Sequence, residues 1–402
     1  MRAPIRLGRL FNIDVAFDQS WLLLFALMCT NLTVVFRHWH PAWTLGGCIA
    51  LALVAALLFF SSVIAHEFSH ALVARRFDVT VREIRLFLFG GVASCEREPG
   101  SARAEFSIAI AGPIMSFFLG VAFLTGAELL LPGIGPGDPS TVLARLGPAE
   151  TLLLWLGVVN LGVGLFNLVP GFPLDGGRIL HAAIWHVTGD LRRSTRIASG
   201  VGQLVGWGFV MAGLAMFFGV RLPLFGRGAA SGLWMALIGW FLSAEAGQSY
   251  QALLILQALE GVRVGSLMRR HGAAIAAETT LDAAVSEWFI HSEARAFPVL
   301  DGGSFVGVLN ASDLRKVPRD AWERTPVTRV MTPVARLAAV SPTDEVAAAL
   351  RRFAELDVEQ LPVLAGSEFV GMLARGDIAR WLEFHLGAPG TGGAEFPELR
   401  TQ

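Results

Sequence analysis

Residues 45–74 read LGGCIALALVAALLFFSSVIAHEFSHALVA. The stretch is an apolar run longer than the roughly 20 residues a helix needs to cross a bilayer, and it ends in His66-Glu67-Phe68-Ser69-His70. In a helix, positions four apart share a face, so His66 and His70 can grip one metal ion together while Glu67 projects beside them. Ionisable groups inside a span are costly and mark function. From His66 to Arg75 the helix advances about 13 Å at 1.5 Å per residue, which puts the metal inside the hydrocarbon layer.

The rest of the chain fits a lipid-solvated protein. Hydrophobic residues make up 53% and charged residues 16% of 402, against roughly 25% charged in a soluble domain. Six spans are expected, near 19–36, 45–74, 104–131, 150–171, 198–219 and 230–249. The loops on one side collect Arg2, Arg6, Arg9, Arg75, Arg76, Arg82, Arg85, Arg97, Arg103, Arg192, Arg193 and Arg196, and those on the other hold Arg37, Arg145, Arg221 and Arg227. The positive-inside rule then places both termini in the cytoplasm of a multi-pass cell (inner or plasma) membrane protein. The net charge of −1 gives no sign of a nucleic-acid partner. Met1–Asp18 lacks the apolar run and cleavage site of a removable signal peptide. Cys29, Cys48 and Cys95 show no CxxC spacing and read as small hydrophobes.

Catalytic zinc takes three protein ligands and keeps a fourth position open. The third candidate ligand is Asp175, in NLVPGFPLDGGR (Asn167 to Arg178). Pro170 and Pro173 forbid a regular helix there, and Gly176-Gly177 allows tight turns, so a carboxylate is offered at a defined depth. The alternative for Asp175 is a turn residue at a membrane boundary. Asn167, one turn before the break, is placed to support an oxyanion. Zinc brings the pKa of its water toward neutrality, and Glu67 is the candidate base that takes the proton.

Three further stretches carry signals. Val81–Cys95, with Leu88-Phe89-Gly90-Gly91 at its centre, reads as a strand or hairpin dipping back toward the membrane, or as an interfacial loop anchored by phenylalanines. Gly202 and Gly206, with Gly208 and Gly213 beyond, allow close helix packing. His38 and His40 read as interfacial; His181 and His186 follow Asp175 closely enough to stand behind it as supporting partners, without an assigned role.

Beyond residue 262 the chain repeats itself. FPVLDGGSFVGVL from Phe297 matches LPVLAGSEFVGML from Leu361. Each copy reads as a strand, a helix (Leu281–Ser292; Thr343–Leu356), two strands and a terminal helix, and paired copies of such a unit bury a shared face.

The HExxH in one span and Asn-x-x-Pro-x-x-Pro-Leu-Asp-Gly in a later one resemble the site-2 protease family of intramembrane metalloproteases. Gly90-Gly91 and Ala111-Gly112-Pro113 are similar to its accessory motifs. The resemblance implies that His66, His70 and Asp175 bind one Zn2+, that Glu67 and Asn167 are catalytic, and that a transmembrane protein substrate is cut within the bilayer. It also implies that the Gly-Gly strand offers an edge to an unwound substrate segment.

The C-terminal repeats resemble paired cystathionine-β-synthase (CBS) domains, which implies an adenine nucleotide held by Asp313 and Asp377. Asn310 and Ala374 stand where that motif has Thr or Ser. A purely structural role, pairing two chains into a homodimer, is the alternative. The expected architecture is an α-helical polytopic membrane domain of about six transmembrane helices over 1–255, joined to an α+β tandem CBS module with repeats at 262–318 and 325–386. A CBS-regulated transporter and a non-cleaving pseudoprotease are the rival readings.

Overall fold

The computed structural model describes residues 5–386 apart from 88–89, 96–98, 131–142, 144, 223–227, 271–273, 293, 357 and 367. Leu88-Phe89 of the expected hairpin, and Arg2, Arg97 and Arg227 of the charge count, lie outside the described residues. The chain divides into two compact units, one running through Gln251 and the other from Ala252.

Among the described residues six helices are long and apolar enough to cross a membrane: α1 (Gln19–Trp39), α2 (Leu45–Arg75), α3 (Ala102–Leu130), α4 (Pro148–Asn167), α6 (Leu191–Phe217) and α7 (Ala229–Ala258). Their starts are chemically marked. Asp18, Thr44 and Asp190 each cap a helix by accepting from a backbone N–H, which satisfies donors the first turn leaves free. Large apolar side chains such as Phe118, Leu129 and Leu204 stand exposed on the outer faces, a surface that lipid solvates and water does not.

The fourth helix stops at Asn167, short of the 171 expected from hydropathy. The apolar window ran on through Leu168 and Val169, but Pro170 and Pro173 break the hydrogen-bond ladder. The chain restarts as a separate helix, α5 (Asp175–Thr188), ended by Gly189 at φ 66°, the left-handed conformation glycine adopts without penalty. The next span begins at Leu191 instead of 198 because Asp190 caps it.

A four-stranded sheet packs against α2. It contains β1 (Ile5–Leu10), β2 (Ile13–Phe17), β3 (Val81–Phe87) and β4 (Gly90–Cys95), in the order β1-β2-β3-β4. β3 and β4 form the expected hairpin, with Phe87 opposite Gly90, and β4 is an edge strand. The two N-terminal strands were not expected. β2 joins β3 in parallel, a pairing across more than 60 residues of intervening chain that no local pattern announces. Ile13, Val15, Val81 and Ile84 bury their side chains with Phe68, Ala71 and Ala74 of α2 and with Ile108. The sheet therefore rests on the helix that carries the histidines.

The second unit holds the repeat. β5 (Ala296–Asp301) pairs with β6 (Ser304–Asn310), and β7 (Gln360–Ala365) with β8 (Glu368–Ala374). The sequence match persists down to register. Val299 faces Gly307 and Leu300 faces Phe305 in the first copy; Val363 faces Gly371 and Leu364 faces Phe369 in the second. Phe305 and Phe369 stack on each other at 4.7 Å, so equivalent side chains meet where the copies pair. The copies differ at their ends: the second closes with α8 (Arg375–Leu386), the first with a 3-10 turn at Asp313–Lys316. Pro318 follows that turn and bars its extension.

Candidate metal centre

His66 and His70 lie one turn apart on α2, as the spacing requires, and Asp175 opens α5. His66 Nε2 is 3.1 Å from Asp175 Oδ2, His70 Nε2 is 3.3 Å from the same oxygen, and the two Nε2 atoms are 3.2 Å apart. Ligands at 2.0–2.1 Å around a tetrahedral ion are separated by about 3.3 Å, so the triangle has the edge length of a zinc site. These residues form the one group of three or more candidate metal ligands among the described residues. All three are mostly shielded, their side chains 5%, 12% and 16% exposed.

The outer hydrogen bonds set the tautomers. His70 Nδ1 lies 2.7 Å from the Ile108 carbonyl, which can only accept, so Nδ1 carries the proton and a neutral ring turns the Nε2 lone pair toward Asp175. His66 Nδ1 is 2.8 Å from Ser116 Oγ, which can accept its proton in the same way. Two imidazole lone pairs and a carboxylate oxygen then converge on one point, an electron-rich cluster that fits a cation at its centre and little else. Outer partners of this kind hold metal-bound histidines in place. Asp175 also lies in the first turn of α5, where the helix dipole favours a carboxylate.

Backbone without side chains makes room. A Cβ on Gly112 would sit 2.2 Å from His70 Nε2 and 2.4 Å from His66 Nε2, so α3 approaches the imidazoles as only glycine permits. Pro113 beside it deprives the Ala109 carbonyl of its helical donor. Cβ atoms on Gly176 and Gly177 would collide with the backbone of Leu168 and Gly171. The glycines after Asp175 thus let residues 168–172 fold over the start of α5.

The other expected residues are placed as follows. Glu67 is half-buried in α2, adjacent to His66. Asn167 is the half-buried last residue of α4 and makes no side-chain hydrogen bond among the described residues. His181 is buried but touches Glu105 and Thr195, not the triangle. His186 and His38 are exposed. His40 is 2% exposed, stacked on Trp43 and bonded to Thr151 Oγ1. Cys29 and Cys48 are free. Ser116 and the Ile108 carbonyl were not foreseen. A serine inside an apolar span was the available signal for the first, and a backbone acceptor leaves none.

In the second unit both motif aspartates are engaged. Asp313 is 3% exposed; its Oδ2 accepts from the Asn310 N–H at 2.9 Å, and its Oδ1 meets Lys316 Nζ at 2.7 Å. Asp377 Oδ2 accepts from the Ala374 N–H at 3.1 Å, and its Oδ1 pairs with Arg269 at 2.7 Å. Asn310 also donates its side-chain amide to Asp313 at 3.2 Å, where Ala374 has nothing to give.

Residues 54–212 match peptidase family M50, and 264–320 and 327–383 each match the CBS domain. The zinc metalloprotease relative Rip3 of Mycobacterium tuberculosis is 32% identical over 96% of this chain and 94% of its own length. The chain belongs to peptidase family M50, the site-2 proteases. A second relative, sll0528 of Synechocystis sp., is named in the same zinc metalloprotease class and is 31% identical over 95% of this chain and 96% of its own. Among solved structures, the site-2 protease from Methanocaldococcus jannaschii is 27% identical and covers 62% of this chain and 95% of its own, with a TM-score of 0.41. This M50 chain is accordingly a zinc metalloprotease of the site-2 type: a multi-pass membrane protein with tandem CBS domains.

Proposed function

We propose that this site-2 protease hydrolyses peptide bonds in or near the transmembrane segments of membrane-anchored proteins, using His66, His70 and Asp175 to hold one zinc ion. The observation that carries the reading is the triangle of two Nε2 atoms and one carboxylate oxygen with edges of 3.1–3.3 Å, its two histidines on the apolar helix α2. A zinc ion held there supplies Lewis acidity, polarising a peptide carbonyl and bringing the pKa of water toward neutrality.

The chain's own residues supply the rest. Glu67 accepts the proton of the attacking water and returns it to the leaving amine. Asn167, with no partner for its amide among the described residues, is available to donate to the carbonyl oxygen as it turns negative. A substrate helix shields its peptide bonds in its own hydrogen bonds, so it must unwind. The edge strand β4, in the sheet packed on α2, is positioned to pair with the extended segment. The arginine bias supports a cell-membrane protein with both termini and the CBS pair on the cytoplasmic side. There the pair binds an adenine nucleotide through Asp313 and Asp377 and modulates cleavage.

Comparing membrane proteomes of cells carrying the natural chain and Glu67→Gln tests this. Single-span precursors accumulate in the variant if the reading holds; identical proteomes contradict it.

A further inference from the structure

His181 bridges three helices. Its Nδ1 lies 2.7 Å from Glu105 Oε2 at the start of α3, and its Nε2 lies 2.9 Å from Thr195 Oγ1 at the start of α6. The group is enclosed, with His181 and Glu105 side chains 7% and 12% exposed. The Thr195 hydroxyl has two neighbours to serve, the Leu191 carbonyl at 2.8 Å and His181 Nε2 at 2.9 Å, and can donate to either. Were Nδ1 bare, its lone pair would face carboxylate lone pairs at 2.7 Å. A proton therefore lies between Nδ1 and Oε2.

The position of this bridge matters more than its strength. Asp175 begins the same short helix, six residues and about 9 Å before His181. Glu105 sits one turn before Ile108, whose carbonyl orients His70, and Ser116 farther along α3 meets His66. Each of the three triangle residues is thus referred to α3: His66 and His70 by direct hydrogen bonds, and Asp175 through its helix by way of His181.

We infer that His181 and Glu105 are positioning residues of the metal centre, their bridge setting the roll of α5 against α3 and so the placement of Asp175 Oδ2 over the two imidazoles. This rests on the reading of His66, His70 and Asp175 as zinc ligands. Glu105→Leu has the size of glutamate and no acceptor. Glu105→Gln retains a bond, because its amide N–H can donate to Nδ1 of a neutral His181. His181→Phe keeps a ring against Phe172, now 5.6 Å away, and loses both nitrogens.

The test is zinc competition against a chromophoric chelator, on the full chain in detergent, with the visible spectrum of the cobalt-substituted protein as second readout. Natural protein that holds one zinc ion and loses it in His66→Ala establishes the ligand reading. On that footing, Glu105→Leu and His181→Phe weaken zinc binding on the order of tenfold and shift the cobalt spectrum, and Glu105→Gln recovers most of the loss. Folded Glu105→Leu or His181→Phe protein with natural zinc affinity and an unchanged cobalt spectrum overturns the inference while leaving the ligand reading intact. If the natural protein holds no zinc, the ligand reading itself falls, and the inference with it.

Discussion

Gly112 lies so close to His70 that a Cβ added to it would stand 2.2 Å from the imidazole Nε2. The space is filled by ring atoms held from behind by the Ile108 carbonyl, so the ring cannot simply retreat. Gly112→Ala therefore displaces the imidazoles. An overpacked site of this kind costs about 1–3 kcal/mol, which reads out as roughly a tenfold or greater loss of zinc affinity in chelator competition. Natural affinity in the alanine variant would mean that the close approach of α3 is dispensable.

Glu67 and the triangle residues separate by experiment. Glu67→Gln keeps the shape of the site and removes the proton acceptor, so the variant retains zinc while cleavage of a membrane-anchored reporter falls by about 10²- to 10⁴-fold. Loss of zinc from this variant would move Glu67 into the ligand set.

Neighbouring glycines of α6 behave in opposite ways. A Cβ on Gly206 would meet the Gly239 carbonyl oxygen at 2.7 Å, and one on Gly239 would meet the Gly206 oxygen at 2.5 Å, whereas Gly208 has nothing within 4 Å. Gly206→Ala forces α6 and α7 apart and costs about 1–3 kcal/mol. Gly208→Ala leaves stability level or raises it, by up to about 1 kcal/mol. Thermal unfolding of the two variants in one detergent shows the contrast, and equal melting points would refute it.

The CBS aspartates make a fourth case. Each already accepts a backbone N–H and pairs with a cation, Lys316 for Asp313 and Arg269 for Asp377. A hydrogen bond to a charged group contributes about 1.5–3 kcal/mol. Asp313→Ala and Asp377→Ala are thus each expected to weaken binding of a fluorescent adenine nucleotide to the full chain by about tenfold or more. Unchanged binding in both would leave the pair a structural role.

The legible parts of this molecule were those written in local spacing. His66 and His70 are four residues apart on one helix, and Pro170 and Pro173 announce the break that frees Asp175. The 64-residue repeat carries its own register, down to the stacked Phe305 and Phe369. Illegible were the features made by pairing distant backbone. β1 and β2 drew no strand reading because their partner strand β3 lies beyond two helices. α5 lies between the expected spans 150–171 and 198–219, too short to be read as a span of its own. Ile108 holds His70 with a carbonyl that every residue possesses. Glu105 reads as an ordinary first-turn acid until the fold brings His181 to it.

The metal content of the purified chain bears most directly on the whole account. One zinc ion per chain is expected, falling toward zero in His66→Ala, His70→Ala and Asp175→Ala alike. Natural protein without zinc, or an Asp175→Ala variant that keeps a full equivalent, would contradict it.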